Sequence, residues 1–268
     1  MADGGEPLVV GGVRIDPVVD GSGSFEPTKS FRGTTAEQWA VHRDLLDADG
    51  RLGFSMGGFL VRGYGRTVLV DLGLGPKTFM GIEGGAFLSS LERLGVRAEQ
   101  VTDVVLTHLH LDHIGWATDG EGRATFPSAT YRCDAADWEH FMLEHPGEEA
   151  DLLRPVADRF EMWSGSEPLL PGMDTLAAPG HTPGSTVLVV SSGTARAMML
   201  GDVVHCPVEL VDDEWGGMFD MDPELARRTR LALNREIEGV DVPVAAAHFA
   251  GLRFGRLLPG EGRRRWLV

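Results

Sequence analysis

Only two cysteines, Cys133 and Cys206, occur in 268 residues, enough for one disulfide at most and no disulfide framework. Basic residues are also scarce, 24 against 40 acidic ones, for a formal charge of −16. Such a balance keeps a chain soluble and repels polyanions, so nucleic acid is not an expected partner. The one dense basic run, Arg263-Arg264-Arg265, is expected to be a solvated tail. No stretch approaches the ~18 uninterrupted apolar residues of a membrane span, so no membrane partner is expected. The opening residues, MADGGEPLVVGG, carry acids and lack the basic start and apolar stretch of a secretion signal. A cytoplasmic location is the resulting expectation. What the chain does have is glycine, 36 residues, within a composition that is 43% hydrophobic. That suits a globular chain of many tight turns, long enough to bury a core unaided.

Strand-like and helix-like runs follow one another along the chain. Residues 10–21 alternate apolar and polar side chains and predict an opening strand pair. Thr34 and Thr35 stand three residues before Glu37 and Gln38, a capping-box spacing that predicts a helix over 34–46. LGFSMGGFLVR and RTVLVDLG predict two strands joined at Gly63-Tyr64-Gly65. FLSSLERLG (87–95) predicts a helix stopped at Gly95, and TDVVLTH (102–108) a buried strand. In the second half, ATYRC (129–133) reads as a strand and DAADWEHFMLEH as a helix. Further strands are expected at 174–180, 185–192, 195–202 and 241–248. A helix begins at the cap Asp222 with Pro223 in its first turn and ends at Gly239. No low-complexity linker divides the chain and no short repeat recurs. Residues 1–268 are therefore expected to form a single two-layered domain of the α/β (α+β) class.

THLHLDHIG (107–115) places four metal-ligand side chains, His108, His110, Asp112 and His113, within six positions. His108 and His110 are two apart, so an extended segment points both to one side. Asp112 and His113 are adjacent, so the chain must turn there, and Gly115 permits the turn. Neutral imidazole and carboxylate suit zinc and its neighbours. Three later residues each follow a strand-like run: His181 in APGHTPGS, Asp202 at the end of MMLGD, and His248 at the end of VPVAAAH. Together they would gather ligands along one edge of a sheet.

The order HLHLDH, GHTPGS, GD, H, with VDLG at 70–73, resembles the metallo-β-lactamase superfamily over about residues 54–248. The resemblance implies an αββα sandwich, two mixed β-sheets face to face with helices outside. It implies two divalent ions, zinc first among them, since the glutamate of di-iron relatives is absent and His110 is intact. His108, His110 and His181 would hold one ion and Asp112, His113 and His248 the other. Asp202 would bridge them, and Asp71 would orient a ligand by hydrogen bonding. Zinc lowers the pKa of a bound water to about 7, and Asp112 would also orient that hydroxide. The implied chemistry is hydrolysis of an ester-type bond in a small neutral substrate: lactone, ester, thioester or phosphotriester. A di-iron redox enzyme and a non-catalytic scaffold of the same fold are the alternatives.

Antibiotic-opening lactamases carry cysteine or serine at the bridging position, where this chain has Asp202. Acyl-homoserine-lactone lactonases share the ligand set but place a tyrosine three residues past the bridging aspartate. His205 stands there, and a histidine can donate to a substrate carbonyl or act as acid. Trp116, Phe54 and Trp215 suit either a pocket wall or core, and Trp215, Met218 and Phe219 either a pocket or a homodimer contact. Cys206 and Cys133 are expected to be small buried residues, and His42, His140 and His145 surface or packing residues. Residues 22–56 and 203–222 are the loops expected to decide the substrate, the second carrying acids that disfavour an anionic ligand.

Overall fold

A computed structural model describes residues 4–31, 33–217 and 219–268; Met218 lies outside them. The strands are β1 Leu8–Val10, β2 Val13–Phe25, β3 Leu52–Gly63, β4 Arg66–Val70, β5 Thr78–Phe79, β6 Ile82–Glu83, β7 Asp103–Val105, β8 Thr130–Asp134, β9 Phe160–Trp163, β10 Pro168–Leu170, β11 Met173–Ala177, β12 Thr186–Ser192, β13 Ala195–Met199, β14 Val244–Ala245, β15 Arg256–Leu258 and β16 Arg265–Leu267. The α-helices are α1 Pro27–Ser30, α2 Ala36–Ala40, α3 Phe87–Arg93, α4 Leu111–Ile114, α5 Ala135–Trp138, α6 Glu148–Leu153, α7 Val208–Val211 and α8 Pro223–Ile237. Among the described residues, no helix is long and apolar enough to cross a membrane.

One sheet runs β1-β2-β3-β4-β7-β8-β9 and the other β10-β11-β12-β13-β14, each antiparallel at first and parallel at its far end. Strand alternation makes the layers. Val61, Val68, Val70 and Val105 face Leu188, Val190, Ala197 and Met199 across the gap between the sheets. Their neighbours Leu60, Leu69 and Val104 turn outward against Phe87 and Leu91 of α3. On the other side, Val187 and Met198 turn outward against Leu233 and Ile237 of α8. The result is the expected αββα sandwich, with continuous apolar runs because both faces of each sheet are covered.

Several expected elements are shorter than their patterns. The 34–46 helix is α2, closed by the predicted box between Thr35 and Gln38, and then a separate turn at Arg43–Leu45. The strand expected over 102–108 pairs only at Asp103–Val105, and the one at 241–248 only at Val244–Ala245. In both, the residues that follow leave the sheet and carry histidines away from the ladder. The helix after β8 becomes π-helical over Glu139–Glu144. The basic run is not a free tail. Arg265 pairs in the β15–β16 hairpin, and Arg264 binds the Leu210 carbonyl at 2.8 Å and the Asp213 carboxylate.

Candidate metal centre

The predicted ligands lie where strands end along one edge of the sandwich. β4 ends at Val70 and is followed by Asp71, whose φ of 59° turns the chain sharply. After β7 the chain reaches His108 and His110, and α4 then presents Asp112 and His113. His181 follows β11, Asp202 follows β13, and His248 follows β14. Gly201, at φ 54°, lets the segment that carries Asp202 approach Thr107, whose Cβ would lie 2.8 Å from any added Cβ.

The ligand atoms converge. His110 Nδ1 lies 3.1 Å from His108 Nε2 and 2.9 Å from His181 Nε2. One proton can satisfy only one of these contacts, so the three imidazoles aim lone pairs at a shared point. Asp202 Oδ2 sits 3.0 Å from His248 Nε2, 3.5 Å from His181 Nε2 and 3.9 Å from His108 Nε2, and Oδ1 sits 3.2 Å from His113 Nε2. Asp112 Oδ2 is 3.5 Å from His248 Nε2. Donor atoms of His108, His110 and His181 fall within 4.8 Å of one another, as do those of Asp112, His113 and His248.

The opposite ring nitrogens are tied to acceptors. His113 Nδ1 meets Asp71 Oδ2 at 2.9 Å, and Asp71 also accepts from the Thr107 amide and hydroxyl, each at 2.8 Å. His248 Nδ1 meets the Ser55 carbonyl at 3.0 Å, His181 Nδ1 meets Asp220 at 3.2 Å, and His108 Nδ1 meets the Thr107 hydroxyl at 3.2 Å. Such partners fix the tautomer with its proton on Nδ1 and leave the Nε2 lone pair toward the centre.

Charge favours the same arrangement. Burial, then the neighbouring imidazoles, hold His108 well below the usual histidine range and bring His110 down to about 3. Burial also lowers His113, but the Asp202 and Asp71 carboxylates outweigh it and raise this imidazole. Burial raises the Asp202 carboxyl, yet the imidazoles around it prevail and keep it well below the usual range. Among the described residues, His113 Nε2, Asp202 Oδ1 and His205 Nε2 are buried without hydrogen-bond partners; the 3.2 Å between the first two is out of alignment for one. Neutral His108 and His110, an ionised Asp202 and orphaned donor atoms fit divalent cations of the zinc type. A cation there would oppose the proton that the two carboxylates favour on His113.

His205 Nε2 lies 3.3 Å from Asp202 Oδ2, and its ring is parallel to that of His248 at 5.8 Å. Burial pulls this imidazolium down, but Asp202 and Glu209 hold it up at about 10. A cation against Asp202 opposes that bias. His181, Asp202 and His205 also form a donor group of their own. Above the centre opens a cleft of about 290 Å³, lined by His110, Asp112, His205 and, mainly, apolar side chains. Phe54, stacked on His248 at 4.3 Å, is part of that wall.

Other candidates fall elsewhere. Trp215 packs with Phe31, Trp39 and His42, and Trp116 donates to Asp20. Phe219 lines the cleft and is 46% exposed. Cys133 and Cys206 are free and buried, and burial pushes both thiols up, out of the nucleophile range. His140 and His145 form a donor group with Glu144, their neighbour in sequence, at the surface of the π-helical turn.

Several supporting residues carried no local signal. Asp20 is the unpaired residue of a bulge in the β2–β3 ladder. It accepts from the amides of Leu74, Gly75, Gly85 and Phe87 and from the Trp116 indole. Asp137 accepts from the Leu109 amide, between two ligand histidines. Glu209 and Asp220, expected to repel anions near the cleft, instead have side chains no more than 1% exposed and turn inward to Arg230.

Residues 58–248 match the sequence profile of the Metallo-beta-lactamase superfamily. An N-acyl homoserine lactonase of Bacillus cereus is 24% identical over 151 residues, which cover 56% of this chain and 57% of the lactonase. The chain thus matches little more than half the length of that relative. Metallo-beta-lactamase domain-containing protein 1 of Xenopus laevis is 27% identical over 226 residues, 82% of this chain and 81% of its own. A solved structure of AidC, a dizinc quorum-quenching lactonase in complex with a product, superposes with a TM-score of 0.87 at 23% identity, over 99% of this chain and 97% of AidC. That likeness establishes the shared fold. With its profile match and ligand order, the chain belongs to the metallo-beta-lactamase superfamily.

Proposed function

We propose that this chain is a metal-dependent hydrolase, working with two zinc ions on neutral ester-type bonds, with acyl lactones as its first substrate class. The observation that carries the reading is the convergence of all seven predicted donors, five of which, His110, Asp112, His181, Asp202 and His248, line one largely apolar cleft. His108, His110 and His181 would hold one ion, and Asp112, His113 and His248 the other, with Asp202 between them. Zinc held there supplies Lewis acidity and an activated water. The chain's own residues do the rest. Apolar walls exclude water and bind an acyl arm, which strengthens every electrostatic contact at the floor. Asp112, whose side chain is 20% exposed and so the most open carboxylate of the set, accepts and holds a proton beside the cleft. His205, on the cleft wall where the lactonases have tyrosine, delivers a proton to the substrate oxygen. Asp112 and Glu149 line the same cleft and oppose anionic substrates.

The lactonase relatives and the apolar wall favour a lactone with an acyl arm over a phosphotriester. The test is a hydrolysis panel with an acyl lactone, a thioester, an aryl ester and a phosphotriester, with and without chelator. Turnover of the lactone far above the others, abolished by chelator and restored by zinc, is expected. A preference for another member would move the substrate class. Absent or chelator-insensitive turnover of all four would overturn the hydrolase reading, and metal analysis would then separate iron-loaded from scaffold forms.

A further inference from the structure

Three points of the chain between Asp202 and α8 meet one side chain from that helix. Arg230 Nη1 donates to the Val203 carbonyl at 2.9 Å, one residue beyond Asp202. The same nitrogen lies 3.5 Å from Glu209 Oε1, and Nη2 donates to Asp220 Oδ2 at 3.4 Å. Glu209 in turn accepts from the backbone amides of His205 and Cys206 through Oε2, at 2.6 and 3.0 Å, and so fixes the turn that carries His205. Asp220 meets His181 Nδ1 through Oδ1. Asn234, one turn beyond Arg230 on the same helix face, binds the Glu209 carbonyl at 3.2 Å.

A buried guanidinium between two buried carboxylates is weak evidence for stability, because desolvating three charges offsets most of their attraction. Arg230 is 3% exposed, and the side chains of Glu209 and Asp220 are 0% and 1% exposed. The fork geometry of arginine does what an apolar replacement cannot: it donates to the Val203 carbonyl and the Asp220 carboxylate at once and sets its charge against Glu209. We infer that Arg230 is a positioning residue that sets His181, Asp202 and His205 relative to one another by holding Asp220, Val203 and Glu209 at once. The inference rests on the reading of those residues as a metal centre, and its test needs no substrate.

Zinc affinity is measured by competition with a chromophoric chelator, and the visible spectrum is recorded after cobalt substitution, for wild type, R230M, R230K, D220N, E209Q and the double variant R230M/D220N. Unfolding in the presence of chelator is followed in parallel, to separate folding from binding. D220N is expected to weaken one of the two metal equivalents by ~10–100-fold, the usual effect of removing the partner of a ligand histidine. R230M should show the same loss and an altered cobalt band, and the double variant should be no worse than R230M, because both act on one path. R230K, a point charge without the fork, should recover only part of the affinity. E209Q, which removes the charge facing Arg230 but keeps an oxygen for the His205 and Cys206 amides, should shift the cobalt band in the same direction as R230M and by less. Wild-type zinc affinity and cobalt spectrum in R230M would overturn the inference, as would losses that add in the double variant. If R230M does not fold, R230K paired with D220N decides the same question by the same non-additivity.

Discussion

Replacing Asp71 with asparagine changes two atoms' worth of chemistry at a site where three donors point at one carboxylate. Asp71 Oδ1 accepts from the Thr107 amide, while Oδ2 accepts from the Thr107 hydroxyl and from His113 Nδ1. An asparagine supplies one acceptor oxygen, and its NH₂ must face one of these two positions. Facing the Thr107 amide, it sets donor against donor in a position 2% exposed, which costs ~1–3 kcal/mol. Facing His113, it can be accommodated only if the imidazole moves its proton to Nε2, the nitrogen 3.2 Å from Asp202 Oδ1. That proton occupies the lone pair a metal needs. The backbone does not confound the result, because asparagine tolerates the positive φ found here. The expected outcome for D71N is therefore twofold. Metal-free protein melts roughly 2–12 °C lower, from ~2–4 °C per kcal/mol in a chain of this size, and one zinc equivalent binds ~10–100-fold more weakly. Thermal unfolding with chelator reads the first, and competition with a chromophoric chelator the second. A lower melting temperature with both zinc affinities intact would refute the argument and leave Asp71 as a residue that merely closes a turn.

Two further outcomes follow from the same geometry. Burial lifts the Asp137 carboxyl to about 6, against hydrogen bonds from Gly184, Thr182 and Leu109 that pull it down. The folded value lies above the unfolded one of about 4, so below about pH 4 the group is neutral in both states and costs nothing; stability is then lost as the pH rises to about 6, by ~3 kcal/mol for about two units. Urea unfolding of chelator-treated wild type and D137N from pH 4 to 7 should show their difference changing across that window, and a constant difference would sink the assignment. Gly115→Ala would place a Cβ 2.0 Å from the Leu74 carbonyl carbon and 2.3 Å from the Gly75 nitrogen, both backbone atoms that cannot swing away. A destabilisation at or above the usual ~1–3 kcal/mol of overpacking is expected; thermal unfolding within a degree or two of wild type would show that the β4 and α4 loops are not locked together as described.

The candidate donors were legible because each is announced locally. His108, His181, Asp202 and His248 all follow runs of apolar residues, and a side chain at the end of a buried strand has one edge to occupy. The layers were legible for a related reason: runs such as TVLV and VVL, apolar on both faces, require cover on both sides. Residues that orient the ligands were not, because their partners are distant in sequence. His181 and Asp220 are separated by 39 positions, and Asp20 and Trp116 by 96. No periodicity encodes such a pairing, and a buried Glu209 carries the same letter as a solvated one. The short strands Phe160–Trp163, Arg256–Leu258 and Arg265–Leu267 were hidden differently. Three or four half-exposed residues give no alternation to detect, and so Arg264 looked like part of a free basic run rather than a side chain held at Asp213 and Leu210. The π-helical turn at Glu139–Glu144 shares its apolar spacing with an ordinary helix, and only the His145 amide bonding back to the His140 carbonyl distinguishes it.

Much of the cleft wall comes from parts of the chain that hold no donor. Phe25 and Phe31 border the segment between β2 and β3, Phe79 and Met80 sit at the tip of the small β5–β6 ribbon, and Phe219 lies beyond α7. Phe79, Met80 and Phe219 are each more than 40% exposed, so their replacement disturbs little packing. Substitution at these positions can therefore change what the cleft admits without replacing a donor beneath it. A library randomised at Phe79, Met80 and Phe219 would start from an intact reaction centre in every clone, which makes this chain a favourable parent for directed changes of substrate range.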